Sequence, residues 1–240
     1  MKHSSIFFVC TTLVMCSLTA PVYAEMGNST VSLGFAHLQL SGLNHFVKDL
    51  SLHNLDTFNN FVNKNYFNSF GEYADASVRG HDGKAKSLQG MSIKYRYEIT
   101  DELGVITSFT WVRSMTNAQA FIDVKLADQN PAASGRTDIR ANYWSLLAGP
   151  SWRFNEYLSV YAMAGMGVAK VTTDLKINDN LNHGAGSFSE SNSTKKTALA
   201  WAAGAQFNLN ESVAMDVAYE SSGSGDWRTS GVTVGIGLKF

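Results

Sequence analysis

Between Glu25 and Phe240 the chain has no cysteine, because Cys10 and Cys16 both lie near its start. A disulfide framework and a cysteine-ligated metal centre are thereby excluded from the body of the protein. Proline is scarce, with three residues in 240, which argues against a disordered secreted chain. An excess of charge of one sign is also missing. The whole chain carries 19 basic and 20 acidic residues, a balance that argues against a dedicated nucleic-acid partner. After the first 24 residues no run reaches the ~18 consecutive apolar residues that a membrane-spanning helix needs. That excludes a helical membrane bundle but not a barrel, whose strands alternate.

The start of the chain reads as a secretory leader. Met1, Lys2 and His3 give a basic end, Ile6 to Ala20 is largely apolar, and Val22-Tyr23-Ala24 is a small-residue cleavage site. Residues 1–24 are therefore expected to be removed, leaving residues 25–240 as one domain. Val9 and Met15 precede the two cysteines where a lipoprotein leader places a small residue, so lipid anchoring is not expected.

What the body does contain is alternation with a period of two, and the last strand shows it best. Val232, Val234, Ile236 and Leu238 alternate with Thr233, Gly235, Gly237 and Lys239, and the segment ends on Phe240. Successive side chains on a strand point to opposite faces, so one face here is wholly apolar and the other small or polar. Seven further segments repeat the pattern. Their apolar rows begin at Val31, Ile93, Val105, Trp144, Leu158, Leu199 and Val213. A helical period would scatter Lys94, Arg96 and Glu98 among the apolar residues around them, whereas a period of two separates them cleanly. Pro150 lies inside the fourth row and predicts a bulge or a strand-end irregularity, since proline cannot donate to a ladder. The fold expected is an all-β, eight-stranded antiparallel transmembrane barrel.

Connector lengths orient it. Thr100 to Leu103, Asn155-Glu156 and Leu209 to Glu211 are short, whereas about Ser41 to Lys86, Thr116 to Asp138 and Asp174 to Ser193 are long, with a brief Ser222 to Arg228. Outer-membrane barrels keep short turns in the periplasm and long loops outside.

Several segments together resemble the Ail/Lom group of outer-membrane proteins, most closely its prophage-borne Lom members. They are "KYRYE" at Lys94 to Glu98, "LGVITSF" at Leu103 to Phe109, "SLLAGPSWRFN" at Ser145 to Asn155, "YAMAGMG" at Tyr161 to Gly167, "MDVAYESSGSGDWR" at Met215 to Arg228 and "GVTVGIGLKF" at Gly231 to Phe240. The resemblance implies a monomeric barrel of the Gram-negative outer membrane, in contact with lipid and lipopolysaccharide. It implies loops that bind host-cell surfaces or extracellular-matrix proteins, with no enzymatic or porin activity. It does not cover the first loop, about residues 41–86.

Lys94, Arg96, Glu98, Arg153, Asp216, Glu220 and Lys239 share the inward parity, so they are expected to form a lumenal charge network, since buried charges must be paired. Read as an acid/base site, the same cluster would have no substrate access, because an eight-stranded lumen is filled by side chains. His37, His45, His53, His81 and His183 are too widely spaced for a zinc motif, so no metal or cofactor is expected. The competing function is a lipid-modifying hydrolase or acyltransferase, which needs a nucleophile–histidine pair near the outer rim. His37 with Ser32 or Ser41 is its candidate. The first loop stands apart through Phe46, Phe58, Phe61, Tyr66, Phe67, Phe70 and Tyr73. Aromatics anchor protein interfaces, so this loop is the expected binding element, either as a folded cap or as a contact surface.

Overall fold

The computed structural model describes residues 29–43, 76–81, 87–124, 133–179 and 188–240. Nine strands lie among them: β1 (Ser29–Leu40), β2 (Ala76–His81), β3 (Leu88–Glu98), β4 (Leu103–Val124), β5 (Ala133–Arg153), β6 (Leu158–Asp179), β7 (Phe188–Asn208), β8 (Val213–Ser222) and β9 (Thr229–Lys239). All but β2 form one antiparallel ring in the order β4-β3-β1-β9-β8-β7-β6-β5, closed by pairing of β4 with β5. Ser29 and Phe240 exchange main-chain hydrogen bonds of 3.1 and 2.9 Å, so the two ends of the barrel domain seal the ring together.

Register fixes the barrel's geometry. Starting from Trp111, the aligned partners run through Met91, Phe35, Val234, Val217, Ala205, Val160 and Trp152 and return to β4 at Leu103, eight residues lower. Eight strands at this shear leave an interior just wide enough for side chains. The outward rows are those the alternation predicts: Leu33, Phe35, Tyr95, Phe109, Trp144, Leu146, Trp201 and Ile236 are all exposed. Lipid is the medium that makes such a surface stable.

The short turns are built by asparagine. Asn155 Oδ1 accepts from the amides of Tyr157 and Leu158 at 2.9 and 2.8 Å, and Asn210 Oδ1 accepts from Ser212 and Val213 at 2.8 and 2.7 Å. Asparagine mimics a main-chain turn in this way. Opposite them, the outer β8–β9 turn needs positive φ at Gly223 (72°) and Gly225 (58°), followed by one 3-10 turn over Gly225–Trp227. The amides of Ser41 and Gly42 donate to Arg228 and Asp226, each at 2.8 Å, tying the end of β1 to that turn.

Three features depart from expectation, and one meets it. The second and third connectors are shorter than expected because β4 and β5 stay paired up to Ile122↔Ala133, and β6 and β7 up to Ile177↔Phe188. Above the membrane the outward face turns polar while Ile139, Ala141, Val171 and Leu175 take the buried, inward positions, so the apolar parity switches sides without weakening the ladder. The first connector contains β2, which pairs with β4 through Ala76↔Val124 to His81↔Gln119. Pro150 meets the second of its two expected outcomes, an irregularity near the strand end, and inserts no bulge. The β5–β6 ladder omits Gly149 and Pro150 but resumes at Ser151↔Tyr161 in the register of Ala148↔Ala164. Finally, the outer part of the lumen is apolar rather than polar, filled by Ala36, Leu38, Leu40, Leu43, Leu88, Val112, Ile139, Ala141 and Val171, with Trp227 against them.

Candidate functional site

Inside the barrel the charges are arranged in tiers. At the periplasmic tier Glu98 accepts from Arg153 and pairs with Arg96 Nη2 at 3.1 Å, while Arg96 Nη1 donates to Gln206 Oε1 at 3.3 Å. Lys239 has the inward parity at this mouth and is partly exposed. In the middle tier Lys94 pairs with Asp216 and donates to Thr233 Oγ1 at 2.9 Å, and Tyr161 Oη donates to Asp216 Oδ2 at 2.7 Å. Higher still, Glu220 receives Tyr143 Oη (2.9 Å), Ser145 Oγ (2.6 Å) and Thr110 Oγ1 (2.9 Å). The cleft between Ser32, Ser92, Lys94, Asp216 and Thr233 has no room for a water molecule. Below the apolar plug these side chains are committed to one another, which is the arrangement of a structural core.

Small residues make the tyrosines fit. A Cβ on Gly204 would lie 2.5 Å from Tyr161 Oη, and one on Gly167 would lie 2.7 Å from Tyr143 Oη. Gly204→Val should therefore displace Tyr161 from Asp216 and destabilise the barrel by ~1–3 kcal/mol. Urea unfolding in micelles measures this, and an unchanged midpoint would mean that Tyr161 is free to move.

The histidine–serine pairing does not form a catalytic couple. Ser32 is buried in the lumen, whereas His37 has the opposite parity on the same strand. Ser41 lies four residues beyond His37, ~13 Å along an extended chain. His45, His53 and His183, like the seven aromatics Phe46, Phe58, Phe61, Tyr66, Phe67, Phe70 and Tyr73, lie outside the described residues. Among the described residues no group of three or more His, Cys, Asp or Glu side chains is placed to hold a metal ion.

Charge collects instead on the outward face of β4–β7, above the lipid-facing belt. Trp111, Trp144, Val168 and Thr197 form one cross-strand row. Two residues higher the aligned row is Arg113, Asn142, Lys170 and Lys195; the next contains Arg140, and the one above that contains Asn117, Asp138 and Asp174. Arg136 and Lys176 are partners in the row above that. Among the residues whose side chains are described, six cations thus share a face with two carboxylates. Arg140 pairs with Asp174, and Arg136 Nε donates to Asp138 at 3.0 Å, so both carboxylates are engaged. The Ser191 hydroxyl, donating at 2.6 Å, and then Arg140 hold the Asp174 carboxyl below its ordinary value. Lys170 and Lys195 face each other directly, an arrangement that costs stability unless an anion lies between them. These residues fell in or beside segments read as loops. The alternation Arg136-x-Asp138-x-Arg140 is the signal that marks them as strand.

The sequence matches the profile of the enterobacterial Ail/Lom protein family over residues 71–240. It is 34% identical over 170 residues to the outer membrane protein lom of Escherichia phage lambda, covering 68% of this chain and 79% of that protein. It is 30% identical over 168 residues to the virulence membrane protein PagC of Salmonella typhimurium, covering 70% and 83% respectively. In three dimensions it resembles Ail, the attachment invasion locus protein of Yersinia pestis, solved in complex with the heparin analogue sucrose octasulfate. That match has a TM-score of 0.54 and 25% identity, over 90% of this chain and all of the other. With its closed eight-stranded barrel, its lipid-facing rows and these relatives, the chain belongs to the Ail/Lom family of outer-membrane proteins.

Proposed function

We propose that this protein is a non-enzymatic, non-porin adhesin that attaches bacteria to host surfaces through the parts of the chain above the membrane. The observation that carries the proposal is the basic outward face of β4–β7, where Arg113, Arg140, Lys170 and Lys195 converge just above the tryptophan row. Its ligand class is a sulfated matrix polysaccharide, a choice supported by the heparin analogue held by the Yersinia pestis relative. Lipopolysaccharide phosphates are the resting counter-ions of the lowest row, which lies at headgroup height. The aromatic first loop supplies a second contact, to host-cell or matrix proteins. Within its own membrane the barrel acts as a monomer, after removal of residues 1–24.

Purified protein in micelles, tested on immobilised heparan sulfate, should bind, and should bind less as salt screens the charges. Chemically desulfated polysaccharide should not be bound. The combined variant R113E/R140E/K170E/K195E should lose affinity by about tenfold or more, since each reversal replaces attraction with repulsion. Binding that survives both desulfation and charge reversal would remove the basic face from consideration.

A further inference from the structure

β3 and β2 pair with the same side of β4, one above the other, and the two ladders do not meet. The β3 ladder ends at Gln89↔Arg113 and the β2 ladder begins at His81↔Gln119, so residues 114–118 of β4 face no strand on that side among the described residues. At the lower end of this gap lies a cavity of about 380 Å³, lined by Ser87, Gln89, Arg113, Ser114 and Met115. Sites for small molecules occupy ~300–1,000 Å³. A cavity at the bottom of that range suits one sugar-sized ligand rather than a chain. Met91 and Trp111, one row below Gln89 and Arg113, are the last lipid-facing side chains of their strands, so the cavity opens directly above the apolar belt.

The lining side chains stand ready for a ligand. Met115 is 47% exposed on the outward face above the tryptophan row, directly opposite Arg140, in surroundings that are otherwise polar. Arg136 and Arg140 on the same face each hold a carboxylate, whereas Arg113 has no carboxylate partner among the described residues. Gln89 lies directly across from Arg113. Neither its amide nor the Ser87 hydroxyl has a hydrogen-bond partner among the described residues. Ser114 adds a hydroxyl from the buried side of β4.

Each group has a chemical counterpart. A guanidinium is a planar fork that meets a carboxylate with two parallel hydrogen bonds. An amide and two hydroxyls, which both donate and accept, match the hydroxyls of a sugar. The polarizable thioether accommodates the apolar edge of a sugar ring. One cation among neutral groups balances one negative charge. We propose that this cavity binds a single carboxylate-bearing sugar residue, with its carboxylate on Arg113, its hydroxyls on Gln89, Ser87 and Ser114, and its apolar edge on Met115. Sugars of this class stand at the ends of host glycans and in the inner core of lipopolysaccharide, so one chemistry serves two sources. The cavity is separate from the sulfated-polysaccharide face, with Arg113 common to both.

The test uses the full barrel in lipopolysaccharide-free micelles, with isotopically labelled methionine methyl groups followed by NMR during titration with N-acetylneuraminic acid or with ketodeoxyoctonate. The Met115 resonance, identified by its loss in M115L, should shift and saturate, while the lipid-facing Met91, Met166 and Met215 stay in place. The methyl ester of the bound acid, and inorganic phosphate, should each move it by less than about a tenth as much at the same concentration. A response to neuraminic acid alone assigns the site to host glycans, a response to ketodeoxyoctonate alone to the bacterium's own lipopolysaccharide, and a response to both to the class. R113Q, which removes the fork, and S87F, which fills the cavity, should each weaken binding by about tenfold or more. S87F should still bind heparan sulfate, and K170E/K195E should lose heparan sulfate while keeping the sugar, which separates this site from the basic face. Heat-modifiable gel migration confirms that every variant is an assembled barrel. A Met115 resonance unmoved by either acid, an ester or phosphate as effective as the acid, or binding undiminished in R113Q and S87F would each overturn the proposal.

Discussion

Asp216→Ala should lower the barrel's unfolding free energy by about 3–5 kcal/mol, the cost of leaving one member of a buried ion pair without its partner. Asp216 and Lys94 are only 1% and 5% exposed, so water cannot replace the lost carboxylate. Tyr161 would lose its acceptor as well, adding an unmade hydrogen bond of ~1–3 kcal/mol at most. The double change Lys94→Met with Asp216→Leu should recover much of the loss, because two well-packed apolar side chains avoid the desolvation that the ions suffer. Denaturant unfolding in micelles reads both values. A single-variant loss below ~1 kcal/mol would mean a solvated lumen, as expected of an exposed pair. Planar bilayers should agree by showing no stable porin-sized current.

Excising residues 44–75 and joining Leu43 to Ala76 through a short Gly/Ser turn should leave the barrel assembled. Changing a loop's length costs only ~0.6 kcal/mol per doubling, and β2 keeps its own ladder to β4. Attachment to matrix proteins should fall by about tenfold or more, the effect of losing aromatic anchors worth ~1.4 kcal/mol or more together. Binding to heparan sulfate should be unchanged, because Arg113, Arg140, Lys170 and Lys195 lie on β4 to β7. Solid-phase binding of the excised and parent proteins to both ligand classes separates the two contacts. If protein attachment is undiminished, the aromatic loop is only a cap.

The barrel wall was legible because lipid imposes one rule on every outward position. Tyr95, Phe109, Trp144 and Ile236 obey it, and their exposure follows from parity alone. The same parity turned Lys94, Arg96, Glu98, Arg153, Asp216 and Glu220 inward. Their partners were not legible. Lys94 on β3 reaches Asp216 on β8, and these strands are separated in the ring by β1 and β9, so the pair depends on lumen diameter rather than on neighbour register.

Where lipid ends, the contrast between faces is reversed. Arg136 to Arg140 and Lys170 to Lys176 remain strands, held by cross-strand pairing, yet their apolar residues Ile139, Val171 and Leu175 stand on the inward parity, opposite to the rows that mark the wall below. β2 was missed for another reason: Ala-Ser-Val-Arg-Gly-His alternates, but over six residues with Val78 as its one large apolar side chain it is too weak to mark a strand without the β4 edge beside it. The apolar plug was hidden because Leu38, Leu40 and Leu88 stand at inward positions that were expected to be small or polar. Only three-dimensional placement shows that they close the outer mouth above Glu220.

The most direct test of the adhesin proposal is attachment of bacteria displaying this protein to epithelial monolayers before and after enzymatic removal of heparan sulfate, with R113E/R140E/K170E/K195E assayed in parallel. The parent should attach well to untreated cells, attachment should drop sharply on treated cells, and the charge-reversed protein should match the treated level on both. Equal attachment to treated and untreated cells by parent and variant alike would contradict a basic-face adhesin.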